Sequence, residues 1–372
     1  VHWLNFFVSL IDHSFPTKLI AFLLMSISVC AQEMSFEEYN PKSTLVVEEH
    51  PVERAKYPFI DIHSHHFNMA TQDLSELVQS MDKMNMAVLV NLSGGSGDKL
   101  KGMLQNVANN YPNRIVIFAN VNFDRVGEPD WGTKAAKQLE IDIQNGAKGL
   151  KIYKSLGLRN NDINGNRIAV DDPRLDPIWK KCAELNIPVL IHSADPKSFW
   201  DPMDSSNERW LELKTRPRRK RSATDPAPWE QIIQEQHNMF KRHPKTQFIN
   251  AHMGWYANDL STLGKLMDKM PNMYVGIGAI IAELGRQPKT ANAFFIKYQD
   301  RILFGKDSYK PEEFPTYFRV LETADEYFPY YKKYHAFWSM YGLDLPDEVL
   351  QKVYFKNAFS LLKGLDKSLF EF

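Results

Sequence analysis

From residue 58 onward the chain alternates between short apolar runs and longer segments in which apolar side chains recur every three or four positions. The apolar runs occupy residues 59–63, 86–92, 115–121, 148–153, 187–192, 247–252, 273–278 and 302–305. Most are continuous, as expected for parallel strands covered on both faces. Between the first two, residues 73–84 set Leu74, Leu77, Val78 and Met81 on one helical face. Residues 131–144, 176–185, 229–241, 259–270 and 289–298 repeat that spacing. Eight strands alternating with helices over about 250 residues predict a (β/α)8 TIM barrel, an α/β fold. The rival is an open doubly wound sheet, which normally has fewer strands and a glycine-rich turn after the first. Here the first strand ends in histidines instead.

The flanks carry other patterns. Residues 311–372 add a C-terminal helical extension, including a helix at 347–362. The connection 193–228 is long, and such loops are often lids or binding loops. Its basic run Arg216-Pro-Arg-Arg-Lys-Arg221 reads first as a solvated loop and second as a hold on an acidic substrate. Ahead of the barrel, residues 32–57 are polar, rich in Glu and Pro, and read as an extended lead-in. The most hydrophobic stretch runs from Leu19 to Val29, with Lys18 before it and Val29-Cys30-Ala31-Gln32 after it. That is the layout of a secretory signal peptide at 1–31, and it is short for a membrane span. It implies a secreted or periplasmic protein whose remaining residues, 58–372, form the barrel domain. Lipidation at Cys30 is the weaker reading, because Val29 is bulky for the preceding position. With Cys30 removed, Cys182 stands alone in a helix as a small apolar residue.

Charge changes the picture by exclusion. The chain has 45 Lys and Arg against 45 Asp and Glu, which argues against a nucleic-acid partner. Its 44% hydrophobic and 24% charged residues rule out a disordered or collagen-like chain.

The chemistry begins at Asp61-Ile-His63-Ser-His65. Alternate side chains of a strand share a face, so His63 and His65 point together while His66 points away. At the C-terminal end of a barrel strand, two neutral imidazoles can bind a divalent metal such as zinc. His192 and His252 close the fifth and sixth predicted strands, and Asp307 follows the eighth. Five groups able to bind metal or protons thus map to one face of one barrel.

With these motifs, Ile191-His192, Asn250-Ala-His252, Phe304-Gly-Lys-Asp307 and the closing Asn357-Ala-Phe-Ser-Leu-Leu362, the chain resembles the amidohydrolase superfamily over roughly residues 58–362. The similarity is to its amidohydrolase-related branch, which includes the aminocarboxymuconate-semialdehyde decarboxylase type. The resemblance implies that His63, His65, His192 and Asp307 hold one divalent metal, usually zinc, with His252 as a catalytic histidine beside it. Lys306 departs from the small or hydroxyl residue this branch usually has before the aspartate. In these roles Asp307 can also accept a proton from water as general base. His252 can polarise a substrate oxygen or orient the water, and Asp61 either steadies the histidines or simply ends its strand.

Other candidates are less specific. Lys151, in Gly149-Leu-Lys-Ile-Tyr-Lys154, is read as a contact for a substrate anion in preference to a bridge between two metals. Arg286 could clamp a carboxylate, with a structural ion pair as an equal reading. Gly94-Gly-Ser-Gly97 reads as a flexible turn rather than a phosphate cradle. Trp200, Trp210 and Trp255 either line a pocket or pack the long loop. The expected activity is metal-dependent hydrolysis of an ester, lactone or amide in a small, carboxylate-bearing substrate. Non-oxidative decarboxylation at the same site is the alternative, and a non-catalytic binding protein that retains the metal is the weakest reading. The resemblance leaves a homodimer open.

Overall fold

Parallel pairing carries the computed structural model from β1 (Phe59–Ser64) to β2 (Met86–Asn91) and β3 (Ile115–Ile117). A second parallel sheet runs in order through β4 (Ala119–Asn120), β5 (Leu150–Ile152), β6 (Val189–Ile191), β7 (Phe248–Asn250), β8 (Met273–Gly276) and β9 (Ile302–Leu303). The structure describes residues 34–35 and 38–370. The segment read as a signal peptide, 1–31, with Cys30, therefore lies outside the described residues. Among the described residues no helix is long and apolar enough to cross a membrane.

Two seams join the sheets into a barrel. At the first, β3 and β4 are one predicted strand interrupted at Phe118, whose N–H still reaches Asn91 O at 2.9 Å. Gly149 lies against the Phe118 ring, where a Cβ would come within 2.5 Å of it. At the second, Ile62 N donates to Phe304 O at 3.2 Å and Asp307 N to His63 O at 2.7 Å. The eight predicted strands are thus the eight staves of a (β/α)8 barrel, most with shorter regular cores than the apolar runs suggested. The strands are buried along almost their whole length, as their sequences require.

Helices cover the outside. Trp131–Gln144 buries Trp131, Ala136 and Leu139, and Asp176–Leu185 buries Ile178, Trp179 and Cys182, each on one helical face. Burial pushes the Cys182 thiol up, which makes it inert. The helix Gly97–Asn110 is not apparent from the sequence pattern, because Gly94 and Gly95 precede it and Gly97 opens it. The turn before it is not loose. Gly95 N donates to Asn120 Oδ1 and Gly97 N to Asp142 Oδ1, so these N–H groups are already taken. The predicted helix 347–362 has a wide π turn, Lys352–Lys356, between Asp347–Gln351 and Asn357–Leu361. In that turn Val353 O accepts from Phe304 N at 2.9 Å, which ties the C-terminal extension to the last stave.

The lead-in, from 45 to 57, is anchored by side chains rather than by regular structure. His50 pairs with Asp325 and Lys56 with Asp347. The long connection is also built in. It carries a helix, Trp210–Thr215, and Arg221 pairs with Asp195 while Arg219 pairs with Glu212. Two of the five basic residues of the run are thus paired within the protein, while Arg216 and Arg218 are exposed.

Phe304 is fully buried, with its ring centroid 4.8 Å from Phe59 and 5.4 Å from Tyr354. Phe304→Ala should cost about 3–5 kcal/mol of unfolding free energy, since the strand-bound site cannot collapse around the void. Urea denaturation measures this, and a loss under about 1 kcal/mol would contradict the packing described.

Candidate metal centre

Three side chains meet where the first and last staves close. Ligand-capable atoms of His63, His65 and Asp307 all lie within 4.8 Å of one another. Asp307 Oδ1 is 3.2 Å from His63 Nε2 and 3.7 Å from His65 Nε2. His63 is the fifth residue of β1 and His65 follows the strand, so the alternation of a strand delivers both rings to one side. His66 turns away and meets Ser64 Oγ through its Nε2 at 3.0 Å.

Asp307 reaches the cluster through an uncommon backbone conformation, with φ of 85° in the left-handed region. Its N–H bond to His63 O holds it there. Glycines make room, because a Cβ on Gly278 would lie 3.3 Å from His63 Nδ1, and one on Gly305 would lie 3.0 Å from His63 Cβ. Asp61 braces the same seam. Its Oδ1 accepts from the N–H groups of both His63 and Lys306, each at 3.0 Å, and burial pushes its carboxyl up to about 7.

His192 and His252 form a second layer. Neither stands on a strand: β6 stops at Ile191 and β7 at Asn250. His252 lies in a tight turn, Ala251–Trp255, with φ of 57°. Its Nδ1 is 2.7 Å from Gly278 O, and its Nε2 is 3.2 Å from His192 Nδ1. A carbonyl only accepts, so a neutral His252 carries its proton on Nδ1 and accepts at Nε2 from His192 Nδ1–H. His192 Nε2 is then left with a lone pair, and that atom is buried without a hydrogen-bond partner. The His252 ring also lies 5.1 Å from His63 and 4.5 Å from the stacked Trp255.

The donor set fits a divalent cation. Burial, with a contribution from Lys151, holds His63 down to about 4, and burial with its neighbour His63 holds His65 down to about 3. Burial likewise lowers His192 well below the usual histidine range and His252 to about 4. These rings are neutral with lone pairs to offer. Asp307 is the charged member of the set: although burial opposes its ionisation, its carboxyl lies well below the ordinary range. His63 Nε2, although close to Asp307, is buried without a hydrogen bond. Neutral nitrogen donors beside an anionic oxygen, with two nitrogens unpartnered, suit a divalent cation.

The remaining candidates separate. Lys151 is buried and its Nζ has no hydrogen-bond partner; burial lowers it to about 7 against the pull of Asp307. Arg286 pairs with Glu208 at 3.1 Å and lies 3.9 Å from the Trp338 ring centre, the ion-pair arrangement. Lys306 turns from the centre into the rings of Phe314, Tyr317 and Tyr331 and pairs with Glu313. Trp200 packs the long loop through a bond to Ala227 O. Trp255 instead walls a cavity of about 380 Å³ whose lining includes Asn207, Arg209, Ile280 and Glu283. Ser93 and Tyr153 escape sequence reasoning: His65 Nδ1 is 2.9 Å from Ser93 Oγ, which is 2.9 Å from Tyr153 Oη. Their only sequence signal is position, just past the second predicted strand and at the end of the fourth.

Because His63 and His65 lose their lone pairs only near pH 4 and 3, protons should compete weakly with metal here. In Lys151→Met, which lacks the amine that titrates near 7, metal affinity followed by chelator competition should stay nearly flat from roughly pH 8 to 5 and fall below that. A steep loss beginning near pH 7 would show ordinary, solvated histidines.

A family model described as "Amidohydrolase" matches residues 60–363. No curated protein matches the chain. Among solved structures, an uncharacterized TIM-barrel protein from Bordetella bronchiseptica is 15% identical, with a TM-score of 0.49, and the match covers 82% of this chain and 97% of that one. A 5-carboxyvanillate decarboxylase from Sphingomonas paucimobilis is 14% identical, with a TM-score of 0.47 over 78% of this chain and 83% of its own. A 4-oxalomesaconate hydratase from Rhodopseudomonas palustris is 14% identical, with a TM-score of 0.48 over 84% and 97%.

Proposed function

The chain belongs to the amidohydrolase family and is an enzyme of that superfamily, and we propose that it is a metal-dependent hydrolase acting on an ester, lactone or amide in a small carboxylate-bearing substrate. The observation that carries the reading is the convergence of His63, His65 and Asp307 within 4.8 Å; His192 lies outside that group, and its unpartnered Nε2 makes it our candidate for a fourth ligand. One divalent cation, zinc by its nitrogen-rich donor set, supplies Lewis acidity that brings the pKa of a water toward neutrality.

The protein's own groups supply the rest. Asp307 is anionic and accepts the proton released by the attacking water, which it can return to the leaving group. His252, neutral and fixed by Gly278 O, orients the substrate carbonyl or the water from the next layer. Lys151 offers a buried amine with no hydrogen-bond or ion-pair partner, suited to pairing with a substrate carboxylate in low dielectric. Trp255 packs its indole against both His252 and His192.

The same Lys151 favours a second reading, a metal-dependent carboxy-lyase, because it would hold a carboxylate about to leave as carbon dioxide equally well. Product analysis on lactones, esters and aromatic carboxylates separates the two: water incorporation without gas marks hydrolysis, and carbon dioxide release marks decarboxylation.

Purified protein should carry about one divalent metal per chain, and chelation should abolish turnover that added metal restores. Asp307→Asn should lower kcat by roughly 10²–10⁴-fold. Lys151→Met should raise KM for anionic substrates far more than for their neutral analogues. Full turnover after chelation, or by Asp307→Asn, would overturn the mechanism.

A further inference from the structure

The bond from His65 does not end at Ser93. Ser93 Oγ lies 2.9 Å from Tyr153 Oη, and Tyr153 Oη lies 3.1 Å from the main-chain carbonyl of Leu92. Ser93 is buried and Tyr153 half-buried, with the Tyr153 ring 5.6 Å from that of His65. The terminal carbonyl gives the chain a direction. Leu92 O already accepts from Asn120 Nδ2 at 3.0 Å, and its second lone pair takes the Tyr153 hydroxyl hydrogen, since a carbonyl can only accept. Tyr153 Oη then accepts from Ser93 Oγ–H, which leaves Ser93 Oγ to accept from His65 Nδ1–H. A neutral His65 with its proton on Nδ1 has its lone pair on Nε2, the atom 3.7 Å from Asp307 Oδ1. Burial keeps the Tyr153 phenol above its ordinary range, so its hydrogen stays in place.

We infer that Ser93 and Tyr153 are positioning residues that lock His65 in the Nδ1-protonated tautomer and aim its Nε2 at the metal centre. The proposal rests on the metal-centre reading and adds two residues to it. The relay matches the one in the second layer, where His252 ends on Gly278 O and frees His192 Nε2. Both relays end on a peptide carbonyl, which can only accept.

The test uses the full chain stripped of metal, with zinc and manganese as probes. Histidine ¹⁵N NMR of the metal-free wild type should show His65 protonated at Nδ1, and Ser93→Ala should mix its tautomers. Chelator competition should show metal binding weakened roughly tenfold to a hundredfold in Ser93→Ala. Tyr153→Phe keeps the ring and removes only the hydroxyl, so it should weaken binding by a smaller factor while metal-free melting is unchanged. It carries the test should Ser93→Ala fold poorly. A His65 protonated at Nε2, or both variants binding metal as the wild type does, would overturn the relay alone. Wild-type protein that takes up neither metal would overturn the metal-centre reading and the relay with it.

Discussion

The active face depends on one buried carboxylate at the barrel seam. The first and last staves are not continuously paired; Asp61 bridges them by accepting from the N–H of His63 and the N–H of Lys306 with one oxygen. The Asp307 N–H bond to His63 O completes the bridge. Because His63 and Asp307 each adjoin this clamp, the distance between a nitrogen ligand and an oxygen ligand is set by backbone geometry rather than by flexible side chains. The left-handed φ of Asp307 is the conformational cost of that placement.

Burial then decides the chemistry. Removing imidazoles from water disfavours their charged forms, so four histidines crowded together remain neutral and present lone pairs instead of repelling one another. Directional relays choose which nitrogen of His65 and His192 holds the lone pair. Among the lysines near the centre, the structure satisfies Lys306 with Glu313 and Lys154 with Asp195, but leaves Lys151 without a hydrogen-bond or ion-pair partner, its Nζ 5.5 Å from the Tyr153 ring centre. A buried amine that the fold does not satisfy is costly unless a ligand completes it.

The long connection and the C-terminal extension are parts of one outer structure. Arg209 binds both Glu212 and Glu283, and the guanidinium of Arg216 lies 5.0 Å from the Tyr334 ring centre. These contacts join residues 193–228 to the segment after β8 and to residues 330–341. Within the basic run Arg219 and Arg221 act as internal fastenings, while Arg218 stays exposed to solvent.

The strand and helix rhythm was legible because both periodicities are local, and Trp131–Gln144 and Asp176–Leu185 fall where the apolar spacing put them. So was the pairing of His63 with His65, since alternation in a strand needs no knowledge of the rest of the chain. The helix Gly97–Asn110 was hidden because Gly95 and Gly97 are paired by Asn120 and Asp142, residues distant in sequence. Local spacing likewise could not tell that Arg286 would find Glu208 while Lys151 would find no ion-pair partner. Nor could it show that Ser93 and Tyr153 would settle the tautomer of His65. The sequence by itself determined the barrel and the kinds of ligand, because period and residue type are properties of neighbours along the chain. The lone pairs, the unpartnered amine and the meeting of Asp307 with β1 were decided only by the tertiary structure, because hydrogen-bond partners and dielectric surroundings come from segments that the closed barrel brings together.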